Sequence, residues 1–415
     1  MRQSKLFTKT RKEAPSDEVS KNAELLIRAG FIHKEMTGVY SYLPLGLRVL
    51  NKIASVIREE MEKVGGQEVL MSSMQPKENW EKTGRWNSMD DLYKVGDSSG
   101  REVALGPTHE EIVVPILKNY VSSHKDFPLY IFQIQNKFRM ELRAKSGILR
   151  GREFMMKDMY SFHTSEDFER FYEIMKDAYK NIFQRVGIGH LTYMTFASGG
   201  TFSKYSHEFQ TISSSGEDTI YIDETSGIAV NKEVYNDEVL NQLGLNKEKL
   251  KEQKAIEVGN IFDLKTKYSK PFDLDFTDES GNKHTALMGC YGIGLGRLMG
   301  TIVETLSDDK GIIWPESVAP FAVHLLLLGE DEATLALAEK VYKSLIDNNI
   351  EVLFNDRKEI SAGEKFADAD LLGIPHRAVV SLRSLKEGGI ELKKRAEEKG
   401  KIISLEDLLK MLASR

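Results

Sequence analysis

The chain has 415 residues, of which 41% are hydrophobic and 29% are charged, and its formal net charge is −6. This composition is that of a globular protein of two or three domains without a generally basic surface, so any contact with nucleic acid must be local. The single cysteine excludes an internal disulfide and a multi-cysteine zinc site. Residues 1–18 lack the apolar core of a signal peptide, and no apolar run approaches the roughly 18 residues that span a bilayer. A cytoplasmic protein without membrane contact is expected.

The first half of the chain predicts alternating helices and strands. Residues 43–66 carry apolar side chains at helical spacing and end on a pair of glycines, which predicts an amphipathic helix. A short strand over 67–76 follows. The β-prone segments 129–138 and 153–163 flank a turn rich in glycine and basic residues, and they predict an antiparallel hairpin. A helix over about 165–186 comes next.

The residue composition of the second half changes twice along the chain. Residues 212–254 are polar and alternately charged, which predicts a small accessory element or an exposed connector. Strand-like segments return over 273–290. Beyond Trp314, buried strands alternate with helices, which predicts a separate α/β domain of about 100 residues with a mixed or parallel sheet. Its boundary is expected near 305–318.

The turn of the predicted hairpin is strongly basic. Residues 137–157 hold seven Lys or Arg against two Glu. The four arginines of this segment are Arg139, Arg143, Arg150 and Arg152. Arginine suits bidentate contact with phosphate or carboxylate, and Phe154 beside them offers a flat surface for a base. From the residues alone, a solvated basic hairpin with Phe154 in the core is the favoured interpretation, since charge runs are usually solvated.

The stretch GPTHEE places Thr108 and Glu110 two residues apart. On a strand both side chains face the same way, and a hydroxyl beside a carboxylate suits a substrate ammonium or imino group. The alternative is a helix start, in which Thr108 caps the helix and the acidic residues occupy its first turn.

The stretch MGCYGIGLGR (288–297) contains four glycines and the single cysteine. Its glycines do not follow the G-x-G-x-x-G spacing of a dinucleotide site, and no base adjoins Cys290 to activate the thiol. A strand that a ligand can approach closely, leading into a helix with Arg297 in its first turn, fits the pattern better. Neither His163 nor His207 has a partner at metal-ligand spacing, so no metal site from protein residues is expected.

Taken in order, these segments resemble class II aminoacyl-tRNA synthetases, and among them the bacterial-type prolyl-tRNA synthetases. Residues 137–163 are similar to motif 2 of that family, and GPTHEE to its proline-binding loop. SHEF (206–209) is a further family element, residues 289–297 are similar to motif 3, and residues beyond 312 to the anticodon-binding domain. The resemblance implies an α/β fold. Its α+β catalytic domain has an antiparallel sheet flanked by helices, and a C-terminal α/β anticodon-binding domain follows.

The resemblance also implies a domain order. Residues 1–211 form the first part of the catalytic domain with motifs 1 and 2, and residues 255–310 form the second part with motif 3. Residues 212–254 form a short accessory segment where an editing domain often stands. Residues 311–415 form the anticodon-binding domain, although acidic residues slightly outnumber basic ones there.

The activity implied is activation of L-proline with ATP and Mg²⁺ to prolyl-adenylate, followed by transfer to the 3′ end of tRNA(Pro), in a homodimer. Arg139 and Arg297 are the implied catalytic residues. The residues implied to bind ATP are Arg139, Glu141, Arg150, Phe154 and Arg297. Those implied to bind proline are Thr108, Glu110, Arg139, Phe162, His163, His207 and Cys290. Those implied to contact tRNA are Arg143, Lys145, Arg357 and Lys365.

Four departures from the family pattern stand out. Without a large editing insertion, the chain is expected to mischarge alanine and not to clear the product itself, which leaves room for a separate trans-editing protein. Ser72 stands where motif 1 usually has proline, RAKSG occupies the motif 2 loop, and Asn260 stands where histidine is common.

Three alternatives remain at this point. They are a class II synthetase of the threonine type, a non-catalytic synthetase paralogue and a nucleotide-binding oxidoreductase. Cys290 lies in the wrong motif for the threonine type, which reads its substrate through zinc. Conserving Arg139, Phe154 and Arg297 serves no purpose in a non-catalytic paralogue, and the glycine spacing disfavours the oxidoreductase.

Overall fold

A computed structural model describes residues 1–142, 144, 146–164, 167–200 and 205–413. Its helices are α1 (Lys21–Arg28), α2 (Pro44–Lys63), α3 (Lys77–Lys82), α4 (Arg85–Ser88), α5 (Glu110–Leu117), α6 (Phe168–Arg185), α7 (Asp237–Gln242), α8 (Leu295–Thr305), α9 (Glu332–Asp347), α10 (Ala362–Leu372), α11 (Leu382–Lys386) and α12 (Leu405–Ala413). None of the helices in these ranges is long and apolar enough to cross a membrane.

Strands fill most of the space between the helices. The strands up to residue 212 are β1 (Ile32–Met36), β2 (Val39–Tyr42), β3 (Gln67–Glu68), β4 (Met74–Pro76), β5 (Tyr93–Gly96), β6 (Glu102–Leu105), β7 (Leu129–Phe138), β8 (Glu153–His163), β9 (Thr192–Ser198) and β10 (Tyr205–Ile212). The later strands are β11 (Asp218–Asp223), β12 (Ile228–Asn231), β13 (Lys251–Lys265), β14 (Asp275–Thr277), β15 (Lys283–Thr285), β16 (Leu287–Gly294), β17 (Ser307–Asp308), β18 (Gly311–Ile312), β19 (Val323–Leu328), β20 (Val352–Asn355), β21 (His376–Ser381), β22 (Ile390–Lys394) and β23 (Lys401–Ile403).

The chain divides into two compact units. The larger unit comprises residues 35–40 and 53–301, and the smaller comprises residues 1–34, 41–52 and 302–415. The larger unit is built on a nine-stranded sheet, in which β7, β8, β16, β13 and β10 are consecutive antiparallel neighbours. The expected antiparallel sheet flanked by helices is therefore confirmed.

The predicted hairpin and the predicted strand over 67–76 have different outcomes. β7 and β8 pair in antiparallel register from Leu129 with Phe162 to Phe138 with Glu153, as the alternation of residue types predicts. The segment 67–76 is instead split into β3 and β4, because β3 pairs with β7 while β4 pairs with β6 in a separate sheet.

Residues 212–254 contribute directly to the large sheet. Within them, β11 pairs with β13 and β12 pairs with β9, while the helix α7 packs Val239 and Leu240 into a small apolar cluster with Phe196 and Val230. The polar and charged residues of this segment are mostly its solvent-exposed ones.

Side chains alternate between the two faces of the large sheet, as strand geometry requires. On one face, which we call the front, Tyr160, Phe162 and Cys290 join an apolar cluster with residues of α5. On the back, α6 covers the sheet, and Lys157 donates to the hydroxyl of Tyr179 at 2.8 Å. Burial lowers the pKa of Lys157 to about 7. The candidate site described below lies on the front of the sheet.

The smaller unit contains the five-stranded sheet β20-β19-β21-β22-β23, whose first three strands are parallel and whose last two are antiparallel. Apolar residues of α9 and α12 pack on it. The predicted strand and helix order beyond Trp314 is confirmed. The N-terminal residues belong to the same unit, since the backbone N–H of Phe354 donates to the carbonyl of Met1 at 2.8 Å.

Candidate active site

Arg139 follows β7 at the front of the large sheet, and it forms no ion pair with any residue that the structure describes. No carboxylate of the described residues lies within 4.0 Å of its guanidinium, which donates to the carbonyl of Pro107 at 3.2 Å and lies 5.3 Å from the ring centroid of Phe154. Burial lowers the pKa of Arg139, yet an arginine remains charged at neutral pH. A desolvated cation without a partner is a ready site for a substrate anion.

Two further arginines, Arg150 and Arg297, are held by carboxylates. Nε of Arg150 lies 2.8 Å from Glu141, and its Nη1 lies 2.6 Å from Glu217. Arg297, in the first turn of α8, has its Nη1 3.0 Å from Glu257. These ion pairs are partly exposed, so their net energy is small and phosphate oxygens can replace the carboxylates.

All three arginines line one cleft of about 620 Å³. Its other walls are Glu141, Ile148, Leu149, Gly151, Phe154, Met156, Glu257, Val258, Gly259, Asn260, Gly292 and Gly294. A Cβ at Gly292 would lie only 2.8 Å from Oδ1 of Asn260, so glycine keeps this wall open. Gly289, by contrast, faces the hydroxyl of Tyr291, so its smallness serves packing within the sheet rather than the cleft. Converging cations beside a flat aromatic ring suit a polyphosphate attached to a base.

A second, buried group of polar side chains lies near the start of α5. The hydroxyl of Thr108 donates to Oε2 of Glu110 at 2.5 Å, and the thiol of Cys290 lies 3.5 Å from Oε1. Both readings of GPTHEE are partly realised, because α5 begins at Glu110 while Thr108 bonds the Glu110 carboxylate rather than the helix backbone. Glu110 and Glu111 are fully buried, and Arg85 lies 3.6 Å from the first and 3.0 Å from the second.

An ionic network underlies this group, and sequence reasoning did not identify it. Lys137 pairs with Asp158 at 2.8 Å and donates to Nδ1 of His109 at 2.9 Å, while the hydroxyl of Tyr160 donates to Asp158 at 2.9 Å. Burial alone would raise the pKa of Asp158, but Lys137 and His109 hold it below its usual range. Burial, and then Lys137, lower the pKa of His109 to about 4. Two of its members, Asp158 and Tyr160, are alternate residues of β8, so the strand period was the available signal for them.

Cys290 is a buried residue of the front cluster and not an activated thiol. Burial raises its pKa far above the usual range, and the charge of Glu110 adds to the effect. A nucleophilic cysteine requires the opposite shift.

Strand alternation separates the remaining residues of the implied proline pocket. Phe162 lies in the front cluster with Cys290. His163 instead bonds Asp167 at 3.0 Å, and His207 bonds the hydroxyl of Tyr172 at 2.9 Å, both on the back beside α6. The structure therefore does not bring these two histidines together with Glu110. Glu208 pairs with Asn260 of β13, which in turn pairs with Gly292 of β16. Glu208 is therefore the SHEF residue in this cross-strand row.

The structure describes two of the four residues implied to contact tRNA. Arg143 and Lys145 lie outside the described residues. Arg357 and Lys365 lie in the smaller unit and line a cleft of about 1000 Å³ together with Lys358. Arg357 pairs with Asp368 at 2.6 Å, and Lys365 donates to the carbonyl of Leu327 at 2.7 Å.

Two family models match the chain, and together they cover most of it. The model described as "tRNA synthetase class II core domain (G, H, P, S and T)" matches residues 93–306, and the model described as "Anticodon binding domain" matches residues 318–415. Among similar proteins, a proline–tRNA ligase of Anaplasma phagocytophilum is 38% identical over 432 residues, which cover 100% of both chains. The chain belongs to the proline–tRNA ligase family of class II synthetases.

Other proline–tRNA ligases are longer. That of a Geobacillus species is 33% identical over 561 residues, covering 99% of this chain and 98% of that protein. This alignment is 146 positions longer than the 415 residues of this chain. A proline–tRNA ligase of Anaplasma marginale is 39% identical over 414 residues, covering 95% of this chain and 96% of that protein, so that alignment needs no such extra length. The missing length is of the size expected for an editing insertion.

The fold is shared with proline–tRNA ligases at greater distance. The crystal structure of prolyl-tRNA synthetase from Cryptosporidium parvum complexed with L-proline and AMP superposes with a TM-score of 0.75 at 19% identity, covering 95% of this chain and 75% of that one. A second crystal structure of that protein, with halofuginone and AMPPNP, gives a TM-score of 0.76 and covers 95% and 78%.

Proposed function

We propose that the chain activates L-proline with ATP and transfers it to the 3′ end of tRNA(Pro). The observation that carries this proposal is the place of Arg139. It lines the cleft shared with Arg150 and Arg297, and it also donates to the carbonyl of Pro107, the residue before Thr108 of the buried polar group. An α-phosphate in the cleft and a substrate carboxylate from the pocket would share this cation.

The reaction needs orientation and positive charge more than a chemical group from the protein. The proline carboxylate attacks the α-phosphorus of ATP, the bond to the β-phosphate oxygen breaks, and pyrophosphate leaves. The terminal hydroxyl of the tRNA then attacks the carbonyl of the adenylate, and AMP leaves. Arg139 binds both reactants, and such preorganised charge is a large source of rate. Arg150 and Arg297 hold the phosphates, and Phe154 stacks on adenine.

Thr108 and Glu110 suit the ammonium nitrogen of proline. A protonated secondary amine has two N–H donors, and the Thr108 hydroxyl and the Glu110 carboxylate are adjacent acceptors at the pocket. Cys290 and Phe162 supply apolar walls for the ring. His163 and His207 have no part in this pocket, since they lie on the back of the sheet.

The cleft also fits Mg²⁺. Glu141, Glu217, Asp218 and Glu257 line its mouth with carboxylate oxygens, which are the ligands that Mg²⁺ prefers alongside substrate phosphates. When bound, the ion would neutralise charge on the phosphates.

Partners are proposed from two surfaces. Arg357, Lys358 and Lys365 line the cleft expected to receive anticodon bases in the cytoplasm, where tRNA is charged. A homodimer is supported by Leu70 and Met74, whose side chains are 77% and 61% exposed in the stretch that contains β3 and β4. Apolar groups this exposed are typical of surfaces covered by a partner.

Charging of a tRNA(Pro) transcript with labelled proline tests the proposal. We expect aminoacyl-tRNA to accumulate with proline, and the Arg139→Ala variant to form none. The threonine-type alternative predicts charging with threonine instead. The non-catalytic paralogue predicts no charging at all by a correctly folded protein.

Alanine tests the proposed lack of editing. Alanine is smaller than proline, and losing a methylene or two from an apolar pocket costs only about 1–3 kcal/mol each, so alanine is admitted at a reduced rate. We therefore expect alanyl-tRNA(Pro) to form and to persist, and a separate trans-editing protein to be needed for its removal. Rapid hydrolysis of alanyl-tRNA(Pro) by the purified chain would contradict this.

A further inference from the structure

A second cleft of the smaller unit lies between the N-terminal residues and α10. It is an open cleft of about 1340 Å³, and its basic lining residues are Arg11, Lys12, Arg28 and Lys310. We call it the N-terminal cleft. The chain as a whole is acidic, so a concentration of cations in one concave surface points to an anionic partner.

The carboxylates of this cleft are mostly neutralised by other residues. Asp368 accepts from the hydroxyl of Thr10 at 2.6 Å and pairs with Arg357 at 2.6 Å, and Asp370 pairs with Arg377 at 3.1 Å. Among the described lining residues, only Glu364 has a carboxylate without an ion pair.

The cations, by contrast, are mostly unpaired. Arg28 is paired with Glu24 at 3.3 Å. Arg11, Lys12 and Lys310 are exposed, and none has a carboxylate within 4.0 Å in the part of the chain that the structure describes. The cleft is therefore positive, with three cations available to a ligand.

The position of the N-terminal residues is fixed by hydrogen bonds. The backbone N–H of Arg11 donates to the carbonyl of Arg28 at 2.8 Å, and Thr10 is tied to α10 through Asp368. Opposite them, Gly363 leaves open space, since a Cβ built there meets nothing within 4 Å. The cleft is therefore open at Gly363 and bounded on its N-terminal side by hydrogen-bonded residues.

The N-terminal cleft adjoins the cleft proposed for the anticodon. Ser361 and Gly363 line the first, Ala362 lines the second, and only the first turn of α10 separates them. A nucleic acid with bases in one cleft would carry its phosphates past the other. Cations that meet phosphates add affinity without reading sequence, whereas contacts to bases supply specificity.

We propose that the N-terminal cleft binds the phosphate backbone of tRNA next to the bases that the Arg357 cleft receives. This rests on the proposed function and adds the N-terminal residues to the tRNA-binding surface. Arg11, Lys12 and Lys310 are the phosphate-binding groups. Their removal weakens the binding of every tRNA, without changing the preference among tRNAs.

The test removes the three cations together. The variant Arg11→Ala, Lys12→Ala, Lys310→Ala is compared with a control that loses three exposed lysines of the same unit, namely Lys340→Ala, Lys343→Ala, Lys399→Ala. Tm and proline-dependent ATP–pyrophosphate exchange, which needs no tRNA, report the integrity of the fold. We expect the KM for tRNA to rise on the order of tenfold in the test variant only. The slope of log K against log salt should become shallower by about 2, since each phosphate contact contributes roughly 0.7–0.9.

Three results would overturn the proposal. They are an unchanged KM and salt slope in the test variant, an equal loss in the control, and a loss confined to tRNA(Pro) while non-cognate tRNA binds as before. Failure of the proposed function is distinguishable, because the wild-type protein would then show no proline-dependent exchange or charging in the first place.

Discussion

The thiol of Cys290 and the carboxylate of Glu110 lie 3.5 Å apart on the front of the large sheet, although 180 residues separate them in the chain. The same carboxylate accepts the hydroxyl of Thr108, so Glu110 is held on both oxygens. With a raised pKa, Cys290 is a neutral donor rather than a reactive group. The proposed function therefore assigns amino-acid selectivity and catalysis to different residues.

Replacing Cys290 tests that separation. Cys290→Ala and Cys290→Ser should retain proline activation within about tenfold of wild type, because a weak hydrogen bond and little volume are lost. The ratio of alanine to proline activation should change, as measured by kcat/KM in pyrophosphate exchange. Loss of all activity in both folded variants would instead make the thiol essential.

Arg139 should be indispensable. Arg139→Ala removes the cation shared by both reactants, and we expect kcat/KM for exchange to fall by roughly 10³-fold or more with every amino acid. Arg139→Lys should recover little, since an ammonium does not reproduce the bidentate geometry. Arg101→Ala, which alters an exposed ion pair with Asp97, is the matched control and should leave exchange unchanged.

Arg85 should contribute to stability. It is the cation beside the buried Glu110 and Glu111. Arg85→Ala leaves two neighbouring buried carboxylates uncompensated, which should lower the free energy of unfolding by about 3–5 kcal/mol. Denaturant unfolding measures it. Adding Glu111→Gln should restore part of the loss, and no recovery would show that Arg85 acts through packing alone.

The lowered pKa of His109 predicts that the free energy of unfolding depends on pH. Its pKa is about 4 in the folded protein, below the ordinary value of 6.5, so the unfolded chain binds more protons between these limits. Its stabilising contribution is complete above pH 6.5 and is lost as the pH falls toward 4, by about 1.4 kcal/mol per pH unit. His109→Gln should flatten the pH profile of unfolding by that slope, and His190→Gln, at an exposed site, should not.

Asn260 should affect ATP binding indirectly, through the carboxylate of Glu257. Its side-chain amide donates to Oε1 of Glu257 at 2.9 Å, while Arg297 lies 3.0 Å from Oε2. Asn260→Ala releases one side of this carboxylate, so we expect the KM for ATP to rise about three- to tenfold with the KM for proline unchanged. Asn282→Ala, on an exposed turn, is the control. An equal rise in both KM values would place Asn260 in a general structural role.

Local patterns predicted the scaffold of the site well. The hairpin of β7 and β8 has the expected bounds, because strand period and turn composition are local properties. Residue types also pointed to Arg139 and Arg150, and the family resemblance added Arg297; all three line one cleft. Charge concentrated on a short segment is visible in a sequence without knowledge of its tertiary partners.

Two features of the site depend on tertiary packing and could not be predicted from local sequence patterns. Lys137, Asp158 and His109 form one network only when α5 packs against the front of the sheet. The two histidines of the implied proline pocket, His163 and His207, were grouped with Phe162 by proximity in sequence or motif. Strand alternation and the pairing of β10 with β13 turn both toward α6.

ATP–pyrophosphate exchange with each of the twenty amino acids tests the central claim most directly, because it reports activation without tRNA. We predict strong exchange with proline, weaker exchange with alanine, and none with threonine. A folded protein that binds ATP but gives no exchange with proline would contradict the account.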